Sequence, residues 1–83
     1  MTVKEFKMQT ALGTLSYANK IKLAYARRTP KKVLAILSND ISWCVKEGIA
    51  TNRNTPVKIL EKLSKDENEW IRFNAKNNST LVS

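Results

Sequence analysis

Apolar residues recur along the chain in short stripes with helical spacing. The two clearest stripes lie 26 residues apart and have the same pattern: Val33, Leu34 and Leu37, then Ile59, Leu60 and Leu63. A longer stripe runs from Ile41 to Ile49 at i, i+3, i+4, i+7 and i+8, and a thinner one contains Trp70, which we expect in the core. These spacings predict an all-α fold made of short helices.

Polar residues mark where these helices should begin. Thr29 and Thr55 each precede a proline, so we expect them to be N-caps with the proline at the first helical position. Asp40 and Asp66 are the expected N-caps of the second helix of each pair. Further caps are expected upstream, where Ser16 precedes an apolar stripe and Thr2 forms a capping box with Glu5.

The shift of 26 residues extends beyond the apolar stripes and predicts an internal repeat. Thr29-Pro30 falls on Thr55-Pro56, and Asp40 falls on Asp66. A weaker upstream copy aligns Ile21-Lys22 with Val45-Lys46, and a downstream copy aligns Asn77 with Asn52 after a one-residue deletion. We therefore expect one domain, residues 1–83, with a divergent cap (1–15) and repeat units at about 16–28, 29–54 and 55–80.

The order Thr-Pro, Leu-x-x-Leu, Asp, then Val-Lys or Ile-Arg six residues after the Asp resembles the HEAT-like helical repeats. The Asn-rich loop from Thr51 to Pro56 is most similar to that of variant leucine-rich repeats. Over residues 16–81 the resemblance implies a short right-handed α-α superhelix of about three helix pairs. It implies a ladder between neighbouring repeats built from Asp40, Lys46, Asp66 and Arg72. It also implies a binding function, mostly for proteins and in a minority of families for nucleic acid.

The amino-acid composition limits the kinds of catalytic and metal-binding site that the chain can form. The chain has no histidine and one cysteine, Cys44, so a His-based catalytic pair and a cysteine-ligated cluster are both out of reach. We expect no enzyme activity, no cofactor and no metal. No apolar run approaches the roughly 20 residues that span a bilayer, and residues 1–10 lack the apolar segment of a signal peptide. The expected location is the cytoplasm, without membrane association.

The positive charge is the sequence feature that most strongly indicates a binding partner. The formal net charge is +8, and residues 1–39 hold eight basic side chains against one acidic one. Several basic residues surround the two Thr-Pro helix starts, where free N–H groups attract anions. The expected partner-binding residues include Trp43, which lies off the apolar stripe of its helix. The others are six of these cations: Arg27, Arg28, Lys31, Lys32, Arg53 and Lys58. The plainer alternatives are a solvated charged rim for the cations and a core position for Trp43.

Three partner classes remain open from the residues alone. An acidic protein surface is the leading hypothesis, and contact with a nucleic-acid backbone through a basic edge is its rival. The third is a homo-oligomer formed through the C-terminal repeat end, where Thr80-Leu81 stands in the place of the next Thr-Pro.

Overall fold

A computed structural model describes residues 2–13 and 15–82 of the chain. Within these ranges the protein is all-α, with seven helices and no strand. In chain order the helices are α1 (Val3–Leu12), α2 (Tyr17–Tyr25), α3 (Lys31–Leu37), α4 (Trp43–Thr51), α5 (Val57–Leu63), α6 (Glu69–Lys76) and α7 (Ser79–Val82). None of the helices in the described ranges has the length and apolar character needed to cross a membrane.

The helices form two layers. In one layer α4 lies between α2 and α6 and packs against both. In the other, α3 packs against α2 and α4, and α5 packs against α4 and α6, while α1 contacts α3 and α7 contacts α5. Helix α3 therefore covers the junction between α2 and α4, and α5 covers the junction between α4 and α6.

The core lies between the layers and contains the predicted stripe of α3 together with Leu60 and Leu63 of the second stripe, whereas Ile59 is partly buried and packs against it. Leu34 and Leu60 are fully buried, which confirms the prediction that equivalent positions of α3 and α5 point inward. On the facing layer Gly48 of α4 allows a close approach to α2. A Cβ atom built on Gly48 would lie 2.7 Å from the Cβ of Ala24 and 3.0 Å from the ring of Tyr25. A side chain at position 48 would therefore force the two helices apart.

The helix starts confirm two of the expected caps. The Ser16 side chain accepts a hydrogen bond from the backbone N–H of Asn19, and the Thr2 side chain accepts one from Glu5. The expected caps at Thr29 and Thr55 are wrong. Both hydroxyls are buried and donate backward to backbone carbonyls instead, Thr55 to that of Ile49. The two hydroxyls therefore hold the last turn of the preceding helix, since Leu23 and Ile49 lie near the ends of α2 and α4.

The predictions for Asp40, Asp66, Ile41 and Trp70 need correction. Asp40 and Asp66 accept from the backbone N–H two residues ahead, so each forms a turn, and the helix begins only afterwards. The helix N-caps are accordingly Ser42 for α4 and Asn68 for α6. Ile41 falls in the turn and is 98% exposed. Trp70 is 51% exposed rather than core because Ile71 and Ala75 alone fill the buried face of α6.

Candidate binding surface

Two buried asparagines hold the loops between the helix pairs. The Asn52 amide nitrogen donates to the carbonyls of Ala24 and Ala26, both at 2.9 Å. The Asn78 amide nitrogen donates to the carbonyls of Ala50, at 2.8 Å, and of Asn52, at 3.0 Å. Each asparagine thus satisfies carbonyls at the end of the preceding helix of its layer, and each fixes the position of one loop against the next.

Further hydrogen bonds join the same loops. Asn54 donates from its side chain to the carbonyl of Thr29, and the Thr80 hydroxyl donates to the carbonyl of Arg53. The connections α2–α3, α4–α5 and α6–α7 therefore lie side by side at one edge of the two-layer fold. We call residues 26–32, 52–58 and 76–82 the loop edge.

The loop edge collects positive charge. It contains seven basic residues and no acidic one. All six predicted partner-binding cations lie on it and are exposed: Arg27, Arg28, Lys31, Lys32, Arg53 and Lys58. Lys76, which the sequence reasoning missed because it lies outside the Thr-Pro pattern, is the seventh. Residues 38–43 and 64–69 contain the connections α3–α4 and α5–α6, at the opposite edge of the fold, and hold four acidic side chains and one basic one. The two edges thus differ strongly in charge.

Ion pairs tie the layer α2–α4–α6 together near this opposite edge. Lys20 on α2 pairs with Asp40 at 3.0 Å, and Lys46 on α4 pairs with Asp66 at 3.0 Å. The resemblance supplied Asp40, Lys46 and Asp66 for such a ladder but not Lys20. The guanidinium of Arg72 donates to the backbone carbonyl of Asp66 at 2.7 Å, so it braces the turn before α6. The two aspartates are therefore structural and hold neighbouring segments together.

Their electrostatic environment agrees with that role. Partial burial by itself raises the pKa of Asp40, but the hydrogen bond from Ser42 N–H and the Lys20 ammonium outweigh it and lower the pKa below its ordinary value. The pKa of Asp66 is lowered in the same way, with burial offset by hydrogen bonds from Asn68 N–H and Lys46. Both carboxylates are held ionised.

Aromatic side chains lie exposed on the layer α2–α4–α6. Trp43, the predicted anchor, is 50% exposed at the start of α4. Trp70 and Phe73 of α6 are similarly exposed, and their rings stack with centroids 5.5 Å apart and planes 13° from parallel. The sequence reasoning missed Phe73 as a surface residue. Its position three residues after Trp70 was the signal that both lie on one helix face.

Two open depressions lie along α6. The one beside Trp70 and Phe73 also contains Asn68 and Glu69 and has a volume of about 460 Å³. The other has a volume of about 240 Å³ and is polar, with a single charged side chain. Its lining consists of hydroxyls, amides and one guanidinium: Thr51, Arg53, Asn74, Asn77, Asn78 and Ser79. Arg53 therefore belongs both to the loop edge and to this depression.

Two further titratable side chains, Cys44 and Tyr25, lie on the layer α2–α4–α6. The half-buried Cys44 is a free thiol, and no group of three or more His, Cys, Asp or Glu side chains able to hold a metal occurs there. The pKa of Tyr25 is raised, first by burial and then by the charge of Glu47. Tyr25 packs against the backbone of Gly48, so this shift reflects helix packing.

Comparison with family models, with curated proteins and with solved structures finds no match to this chain.

Proposed function

We propose that this protein is a non-catalytic, cytoplasmic binding module that holds an acidic protein surface against its loop edge. The supporting observation is the separation of charge. Seven cations and no carboxylate lie on the loop edge, three of the cations in its loops and four in the adjoining helix ends, and these loops are hydrogen-bonded side by side. A single exposed ion pair contributes at most about 1 kcal/mol, so binding requires several cations to act together on one preorganised edge.

We propose further that the module is a short right-handed α-α superhelix of HEAT-like repeats. Hydrogen bonds and ion pairs that recur at equal spacing support this. Lys20–Asp40 and Lys46–Asp66 both span 20 residues, and Asn52 and Asn78 make equivalent bonds. In such an array successive loops point the same way, which gives the loop edge its length.

The second candidate is contact with a nucleic-acid backbone through the same residues. The observation in its favour is that Arg27 and Arg53 occupy equivalent positions of successive loops, 26 residues apart, as a regular line of phosphates would require. Such binding would be steeply salt-dependent and would carry little sequence information.

Titration with two probes tests both candidates. Labelled polyglutamate represents an acidic polypeptide, and a labelled DNA duplex represents a phosphate backbone. We expect polyglutamate to bind at low salt, and we expect Arg53→Glu combined with Lys58→Glu to weaken it by about tenfold or more, because four units of charge change on one edge.

The matched control is Lys4→Glu combined with Lys65→Glu, which changes the net charge equally but away from the loop edge. Equal loss in both double variants would mean that only net charge matters, and the loop edge would not be the site. Binding of the duplex but not of polyglutamate would replace the first candidate by the second. Absence of binding to either probe at low salt would remove both.

A further inference from the structure

One face of α6 carries aromatic and amide side chains in succession. Trp70, Phe73, Asn74 and Asn77 follow each other at i, i+3, i+4 and i+7, so they share a face of the helix. The aromatic pair lines the larger depression and the two asparagines line the polar one. We call these four residues the α6 face. It leads along a single helix from an apolar contact surface to Arg53 of the loop edge.

The two asparagines retain hydrogen-bonding capacity toward solvent. Asn74 donates one amide hydrogen to the carbonyl of Trp70, and Asn77 donates one to that of Phe73. An amide NH₂ has two donors and its oxygen is an acceptor, so each side chain still offers one donor and one acceptor. A peptide group offers the same pair, one N–H and one C=O. The α6 face therefore suits the main chain of an extended peptide.

The charges at the two ends differ. Glu69 lines the aromatic depression, whereas Arg53 is the charged side chain of the polar depression. The Arg53 guanidinium forms no ion pair with the described residues. A guanidinium holds a carboxylate through two parallel hydrogen bonds. A ligand carboxylate is consequently favoured at the Arg53 end and repelled at the Glu69 end.

We propose that the α6 face binds an extended peptide segment of the acidic partner. An aromatic or large apolar side chain of the peptide packs on Trp70 and Phe73, its main chain meets Asn74 and Asn77, and its carboxylate pairs with Arg53. This proposal rests on the proposed function and assigns a peptide motif to it. A base stacked on Trp70 would instead bring its phosphates beside Glu69, so the charges favour a peptide over a single-stranded nucleic acid.

The geometry sets the spacing of the motif. From position 70 to position 77 the helix advances about 10 Å at ~1.5 Å per residue. An extended peptide advances ~3.3 Å per residue, so about three residues separate the apolar side chain from the acidic one. Because Glu69 and Arg53 lie at different ends, the acidic side chain must lie at this distance from the apolar one, whichever way the peptide chain runs.

Two synthetic peptides of identical composition test the proposal by fluorescence anisotropy. The first has a phenylalanine followed about three residues later by two glutamates. The second has the same residues, but its two glutamates directly follow the phenylalanine. We expect the first to bind about tenfold more tightly than the second, and we expect Trp70→Ala to abolish the difference while Trp70→Phe retains it. Met8→Ala, which removes an exposed apolar side chain from α1, should leave the difference unchanged.

Each outcome decides between the proposals. Equal binding of the two peptides would overturn the spaced motif and leave the loop edge in place. Binding of the first peptide without any binding of polyglutamate would support the α6 face and remove the extended loop-edge interaction. If a single-stranded oligonucleotide bound more tightly than either peptide and lost affinity in Trp70→Ala, the face would be a base-stacking surface and the peptide proposal would be wrong.

Discussion

Asn78 makes the same pair of hydrogen bonds that Asn52 makes 26 residues earlier, each from one amide nitrogen to two backbone carbonyls. Each asparagine also accepts, through its side-chain oxygen, from the backbone N–H two residues ahead. Both side chains are buried, so these polar groups have no access to water as an alternative partner. The loop edge depends on this arrangement because it joins one loop to the next.

Replacing Asn52 by alanine should lower the free energy of unfolding by about 3 kcal/mol, because two carbonyls and one N–H lose their partner. Asn52→Asp should lower the free energy of unfolding further, since a carboxylate would face the carbonyls of Ala24 and Ala26. Urea denaturation followed by circular dichroism measures both. The exposed Asn19→Ala is the control and should stay within about 0.5 kcal/mol of the parent. Equal stability of Asn52→Ala and Asn19→Ala would contradict the buried-amide role.

Gly48→Ala should destabilise the protein although alanine is the better helix former. Helix propensity favours alanine by about 1 kcal/mol, but the new Cβ would lie 2.7 Å from that of Ala24, which sits directly on the α2 backbone. We expect a net loss of about 1–2 kcal/mol from overpacking. Thermal denaturation of the single variants and of Gly48→Ala with Ala24→Gly measures the coupling. The double variant should recover at least part of the stability lost in Gly48→Ala. If the stability changes of the two single variants simply add, the contact between positions 24 and 48 does not cause the destabilisation.

Asp40→Asn should reduce stability at neutral pH and have little effect in acid. The asparagine retains an acceptor for Ser42 N–H but loses the charge that pairs with Lys20, which we expect to cost about 1 kcal/mol. The folded-state pKa of Asp40 is lowered, so its stabilisation is present above the ordinary aspartate pKa of about 3.9 and is lost as the pH falls through the folded value.

Unfolding free energies of the parent and of Asp40→Asn should accordingly converge below about pH 4. Asp66→Asn should behave in the same way, because its pKa is lowered by equivalent partners. Glu61→Gln removes an exposed carboxylate of α5 and should show no such convergence. A difference between parent and Asp40→Asn that persists at pH 2 would show that the loss comes from the turn and not from the charge.

The apolar pattern predicted the helices of both layers because burial decides which face of each helix points inward. The starts of α4 and α6 were harder to predict. By residue type, good N-caps occur both at the aspartates, Asp40 and Asp66, and at the polar residue two positions after each. Only the folded turn shows that the aspartate closes a loop, that the Asn68 side chain caps α6, and that Ser42 takes the N-cap position of α4 without a side-chain cap hydrogen bond.

The alignment of the first unit failed for a related reason. Local similarity paired Lys22 with Lys46, whereas Lys20 makes the ion pair equivalent to that of Lys46. The N-cap residues Ser16 and Ser42 are 26 residues apart, as are Lys20 and Lys46. Short polar residues are, however, too common in sequences to fix an alignment. Likewise, the cations of the loop edge were visible in sequence, whereas the buried amides that bring their loops together look like any loop asparagine.

The unequal charge of the two edges gives the molecule a permanent electric dipole that runs along the helices from one edge to the other. In the field of an anionic body such a particle rotates before contact, and encounters then begin with the loops already facing the target. Added electrolyte shortens the range over which this rotation acts, to roughly 8 Å at physiological ionic strength. The arrangement of the charged connections therefore influences the orientation in which the protein meets an anionic partner, as well as the contacts that form afterwards.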